Sequence, residues 1–416
     1  MQRSIKIKLN NAAIIVSCTR EFVWPMRANP PSVVSVVKTM LYDDEKIDTK
    51  YFLAKCRLSE LIDEHNLLKG NKKGMIESSK EFTDSLICYF IGNLFAELSA
   101  RKINEEDYNA VFEPGLLKPF IESFNSAAFF KEIEKYSGEA QIFLLAYYYS
   151  YLSDQNYNDV QSQQKLKDIL FEHSHKLSSE MAYNLYVMLM NINIYGANEN
   201  NNSAVYYKRA FELFKDMESK ELLTGYESEY MQEEIFLNIL FTAGALKEFD
   251  WAEEIVEKHI YKLHPVIRDN WYNYSKAFIN FNKKQFEQAL RFIFGVNFEK
   301  AALNVIAKRL MVMTFYELNY TEQLLSTIDS FTHYLNNDKR IHKKIKSLNL
   351  SFLKTLHKLT KLKYNNDSFG LKKLKKQIEQ NPERKNWLLE KIEELEKTYN
   401  FTNGTRKNQK NLKLRK

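Results

Sequence analysis

Two histidines, His173 and His175, form the closest histidine pair in the chain. A shared metal ion would need both imidazoles on one side of the backbone. On a helix, residues two apart point about 200° away from each other, so this pair reads as structural or surface histidines rather than ligands. Carboxylates are paired at Glu233-Glu234 and Glu253-Glu254, on what read as polar helix faces, where they serve solvation. The three cysteines, Cys18, Cys56 and Cys88, make no CxxC spacing and no disulfide framework; they suit reduced thiols in a cytoplasmic protein. Neither GxGxxG nor GxxxxGK(S/T) is present to cradle a phosphate, and neither HExxH nor GxSxG to support hydrolysis. The sequence therefore offers no catalytic, cofactor or metal site, and the expectation is a protein that is not an enzyme. An enzyme with dispersed catalytic groups would need a deep polar pocket holding perturbed acids.

What remains is binding chemistry, of two kinds. Aromatic side chains recur with an arginine in the second half of the chain, the residue types that anchor protein partners. Lysines crowd the C-terminal end: Lys339 to Lys416 hold 23 Lys+Arg against 7 Asp+Glu, a balance of +16, so that residues 1–338 carry −9 within the whole-chain +7. Lys343, Lys344, Lys346, Lys354, Lys358, Lys361 and Lys363 fall on one expected helix, followed by Lys372, Lys373, Lys375 and Lys376. Such a stripe suits a phosphate backbone or an acidic partner surface. It equally suits a solvated helix face, and arginine is scarce there.

Helices must position these groups. Gly 11 and Pro 7 are low for 416 residues, whereas sheet-rich folds use glycine and proline freely in turns. An all-α protein follows. No run approaches the ~20 apolar residues of a membrane span. Residues 1–35 read as irregular, closed by Pro25, Pro30 and Pro31. Within them Arg3, Lys6 and Lys8 precede Ala12 to Cys18 in a pattern that faintly resembles a lipoprotein signal. Asn10 and Asn11 interrupt it, and a β-hairpin with Ile5, Ile7 and Leu9 on one face is the competing reading. Residues 36–136 read as an N-terminal helical region, with a basic turn at Gly70 to Gly74 and an amphipathic helix from Glu81 to Ala100. Helix pairs follow over 137–338. Basic helices occupy 339–400, and a disordered basic tail 401–416. Tyr147, Tyr148, Tyr149 and Tyr151 encircle one helix, so that at least one should face solvent or a partner.

The pairs repeat. Ala252, Ala289 and Leu324 occupy one position in three successive second helices, 37 and 35 residues apart. Trp271 to Phe281 followed by Phe286 to Leu290 is the best-preserved unit: Ala277 and Ala289 are small where two helices cross, and Phe286 opens the second helix. This pattern resembles the tetratricopeptide repeat, clearly over about 230–335 and weakly over 137–229. It departs by placing Val312, Thr321 and Leu324 where small, aromatic and small residues are typical, and no unit has the usual glycine beside the first helix. The chain is also similar to helical-repeat proteins common in AT-rich bacterial genomes, a likeness that implies no activity.

The resemblance implies a tetratricopeptide-like α-solenoid of antiparallel helix pairs, in which first helices line a concave face. Trp271, Tyr274, Phe278 and Asn282 of one unit, with Arg309, Met313 and Glu317 of the next, would then project toward a bound peptide or protein segment. The same aromatics also fit an inter-repeat core. The function expected is a non-catalytic interaction scaffold. The alternative is a nucleic-acid-associated or regulatory factor using the basic end.

Overall fold

The computed structural model describes residues 46–108, 111–113, 115–199, 203–225, 228–379 and 387–398. The expected signal or hairpin of residues 1–35 and the tail of 401–416 lie outside the described residues. Within them the regular structure is helical, and its only β feature is an isolated parallel bridge between Ile47 and Leu177. The protein is all-α. Its contacts divide it between Ile192 and Asn193 into two compact units.

The first unit opens with a helical hairpin, α1 (Thr49–Lys69) and α2 (Lys72–Tyr108). Gly70 ends α1 in the left-handed region at φ 65, and its N–H donates to the carbonyls of Asn66 and Leu67. Helix α2 restarts at once, because the Asn71 side chain accepts the Gly74 N–H at 3.1 Å and caps the new helix. The basic turn expected to extend to Gly74 is therefore two residues long. Short helices α3 (Leu117–Ser123) and α4 (Ser126–Ile133) precede α5 (Glu139–Gln155) and α6 (Val160–His173). Helix α5 packs against α2, α4 and α6, with Gly92 giving the close approach: a Cβ there would lie 2.5 Å from the Phe143 ring.

Neighbours on three sides also absorb the tyrosines. Tyr148 stacks on Phe130 at 3.9 Å, Tyr151 lies 4.9 Å from Phe95, and Tyr147 lies 5.0 Å from Phe143. Tyr149 bonds Glu134. Tyr149 is buried, and Tyr147, Tyr148 and Tyr151 are half-buried, so none of the four stands fully in solvent. Burial, reinforced by Asp48 and Glu180, pushes the Tyr147 phenol up to about 12.

Helix α7 (Ser179–Glu199) contains the division, and α8 (Ser203–Ser219) begins the helical succession of the second unit. It continues as α9 (Glu233–Leu246), α10 (Phe249–His259), α11 (Arg268–Asn282), α12 (Phe286–Ile293), α13 (Ala301–Glu317) and α14 (Thr321–Asn337). Then come α15 (Lys343–Asn365), α16 (Ser368–Glu379) and α17 (387–398). The sequence period recurs in the backbone. Lys247, Lys284 and Asn319 adopt left-handed φ of 61, 61 and 59 in the turns after α9, α11 and α13. The next N–H then reaches back five residues in each case, from Glu248 to Ala243, Gln285 to Asn280 and Tyr320 to Phe315, at 2.8 to 3.0 Å. This double closure satisfies carbonyls that each first helix would otherwise leave unpaired. Asn366, φ 51, repeats it after α15.

Side chains follow the same rule. Ala252, Ala289 and Leu324 are all buried, at 2%, 0% and 1% exposure. Consecutive helices pack pairwise, and first helices also touch across the intervening one: α9 with α11, α11 with α13, and α13 with α15. Gly244 of α9 supplies room for this, since a Cβ there would fall 2.7 Å from the ring of Phe278 in α11.

Candidate interaction surface

The residues expected to face a partner divide into three groups. Trp271 and Tyr274 are core, 0% and 2% exposed, so neither is available as a surface anchor. The Trp271 indole stands edge-on to Phe236 and near Phe298, and its Nε1–H donates to Glu233 Oε2 at 2.7 Å. That partner, 38 residues earlier, lets a polar ring be buried without an orphaned donor. Glu233 was read as a solvating carboxylate; it is instead largely enclosed and joins α9 to α11, while Lys300 Nζ lies 2.9 Å from it.

Phe278, Asn282 and Met313 are half-buried along the first helices. Phe278 lies over Gly244 and 5.5 Å from Phe241, filling the α9–α11 contact with part of its ring open. Asn282 Nδ2 donates to the Phe278 carbonyl at 2.8 Å within its own helix.

Arg309 and Glu317 are engaged by other helices of the chain. The Arg309 guanidinium sits 4.2 Å from the centre of the Phe352 ring in α15. Glu317, the last residue of α13, receives α17. Its Oε1 accepts Trp387 Nε1–H at 2.9 Å and lies 2.9 Å from Lys391 Nζ. Trp387 also packs edge-on to Tyr316 and lies 6.2 Å from Phe352. Leu388 and Ile392 bury the rest of the contacting face, at 4% and 0% exposure. A four-residue step brings indole and ammonium to the same side of α17, so both reach one carboxylate.

The electrostatics are local. Burial opposes the charge on Lys391, but hydrogen bonds to Glu317 and Glu394 more than offset it and hold the ammonium above its ordinary value. Lys363 behaves oppositely: burial pulls it down, with Lys391 adding to the effect and Glu317 resisting. Its Nζ lies 4.5 Å from the centre of the Tyr316 ring and donates to Asn319 Oδ1 at 2.5 Å. From sequence, Trp387 and Lys391 carried one available signal, an aromatic and a cation four apart in a helix, but their carboxylate lies 70 residues earlier.

Among the described residues the histidines and cysteines are not brought together into a common cluster. His173 lies at the end of α6, and His175 lies in the turn after it. Cys56 and Cys88 are buried free thiols, and burial pushes Cys88 up to about 12. Among the described residues no group of three or more His, Cys, Asp and Glu side chains could hold a metal, and no helix is long and apolar enough to cross a membrane. Compared with family models, with curated proteins and with solved structures, the chain gives no match in any of the three.

Proposed function

We propose that the protein is a non-catalytic interaction scaffold, in which the helix pairs form a tetratricopeptide-like solenoid whose first helices hold a peptide or helical segment of a protein partner. One observation supports this reading above the others: the chain seats an amphipathic helix of its own, α17, against α13 and α15 through Trp387, Lys391 and the carboxylate of Glu317. A surface that fastens a helix with one ring, one ion pair and an apolar strip has the recognition chemistry of helix-in-groove binding. The matching turns at Lys247, Lys284 and Asn319 support the repeat assignment. Phe278, Asn282 and Met313, half-open along α11 and α13, are the contacts assigned to the partner. Trp271 and Tyr274 hold the scaffold together instead.

The test is selection of peptides from a displayed random library on the full-length protein, followed by affinity measurement on an Asn282→Arg, Met313→Glu variant. Selected peptides should bind the variant at least about tenfold more weakly, with its melting temperature unchanged. Equal affinity for both proteins would remove the assignment.

A further inference from the structure

The C-terminal end of the second unit carries a surface that the scaffold reading does not use. Between Lys343 and Ile378 the chain has eleven lysines and a single carboxylate, Asp367. Asp367 Oδ1 accepts the Gly370 N–H at 2.8 Å, in the first turn of α16. Helical spacing places Lys343, Lys354 and Lys361 within about 20° of one another on α15, and Lys358 about 60° from two of them. All four are exposed. The stripe runs about 27 Å along the helix. Lys372, Lys373 and Lys376 are exposed on α16, and Lys358 Nζ reaches that helix at Gln377 Oε1, 3.0 Å away, so the two lysine sets adjoin. Among the described residues Lys354, Lys361, Lys372, Lys373 and Lys376 make no ion pair.

Two large aromatics stand out in water at the turn between these helices. Tyr364 is 82% exposed and Phe369 81%. Tyr364 also lines a cleft of about 190 Å³, together with Tyr316, Asn319, Thr321, Thr360 and Lys363. Cations along a line, with open rings and hydrogen-bonding groups at one end, match single-stranded nucleic acid: phosphates follow the cations and bases stack on the rings. A bilayer fits less well. The apolar residues of α15, Phe352, Leu353, Leu356 and Leu359, are buried inside the unit and leave no apolar stripe to enter lipid.

We propose that α15, α16 and the turn joining them form a binding surface for single-stranded nucleic acid, with Lys354, Lys361 and Lys373 on the phosphates and Tyr364 and Phe369 under the bases. This site is independent of the partner face on α11 and α13, and either can fail without the other.

The experiment is fluorescence anisotropy of the full-length protein with a labelled oligothymidylate of about 20 nucleotides, a duplex of equal length, and vesicles of mixed phosphatidylserine and phosphatidylcholine. The single strand should bind more tightly than the duplex. With four or five phosphates contacted, affinity should fall on the order of 60-fold from about 50 to 200 mM salt. Lys354→Gln, Lys361→Gln, Lys373→Gln together should weaken binding at least about tenfold and flatten the salt dependence. Tyr364→Ala with Phe369→Ala should weaken it about tenfold or more at unchanged salt dependence, and Tyr364→Phe should retain affinity. All substituted side chains are exposed, and unchanged melting temperatures would check that the fold is kept. The proposal is overturned by absence of oligonucleotide binding at low salt, by equal duplex binding indifferent to the aromatic pair, or by binding to the vesicles alone.

Discussion

Two tryptophans in the second unit are fastened by the same three groups, yet the burial is distributed in opposite ways. At Trp271 the ring is wholly enclosed, while the lysine that joins its carboxylate, Lys300, has 55% of its side chain exposed. At Trp387 the ring is half-open, while Lys391 is 5% exposed. The first arrangement draws its strength from apolar area, with the Glu233 contact serving mainly to satisfy the indole N–H. The second rests on a buried ion pair, which contributes little net stability but penalises any replacement that leaves one charge alone. One set of side chains thus builds an interior joint in one place and a selective clasp in another.

Replacing the rings tests this contrast most severely. Trp271→Ala should cost about 3–5 kcal/mol in denaturant unfolding of the second unit. Trp387→Ala should cost about 1–2 kcal/mol. Equal losses would show that the two joints do not differ as described. Next in size is the charge. Glu317→Ala leaves Lys391 with Glu394 and the more distant Glu390 of its own helix and should cost about 2–3 kcal/mol, seen as faster amide exchange across 388–392 before any global change. Glu317→Gln together with Lys391→Met should stay within about 1 kcal/mol of the parent, because both charges and their desolvation cost go together while the Gln carbonyl still accepts the indole N–H.

A third carboxylate extends the comparison to pH. Glu218 of α8 accepts Lys258 Nζ at 2.7 Å and lies 2.8 Å from Nε2 of the buried His259 in α10. Burial holds the His259 pKa below its ordinary 6.5, with Lys262 and Lys258 acting the same way and Glu218 opposing them. The unfolded chain therefore takes up this proton more readily than the folded one as pH falls below about 6.5. The stability contributed is complete above that pH and is lost as pH drops toward the folded-state value. Melting temperature should decline between about pH 7.5 and 5, and His259→Gln should flatten the decline; an unchanged slope would assign the effect elsewhere. The smallest change belongs to the exposed partner of the first joint. Lys300→Ala should cost less than about 1 kcal/mol and matter less still at high salt.

Helical periodicity made most of the second unit readable. Phe286, expected to open a second helix, is the first residue of α12, and the repeat spacing reappears as left-handed turns at Lys247, Lys284 and Asn319. The places of those turns are legible but their left-handed conformation is not, because lysine and asparagine stand where glycine would announce it. Side-chain destinations were harder to read. Trp271 and Tyr274 recur at helical spacing whether they line a groove or a joint, and only Glu233, on another helix, decides between them. Glu317 reads from sequence as a partner contact, and in the structure a helix of this same chain engages it. Tyr364 and Phe369, in the last turn of α15 and the first turn of α16, fall outside the apolar stripes of those helices, so periodicity gave them no role.

The clasp at Glu317 also works as a ruler. Indole and ammonium meet one oxygen because four residues separate Trp387 from Lys391, a little over one helical turn. Inserting a single residue between them would swing the ammonium about 100° around the helix axis and leave the carboxylate with only one of its two guests. Composition alone is therefore a poor guide to which versions of α17 would keep both contacts. The seat measures distance along the helix, and an α17 equally rich in tryptophan and lysine but out of step would lose one of them.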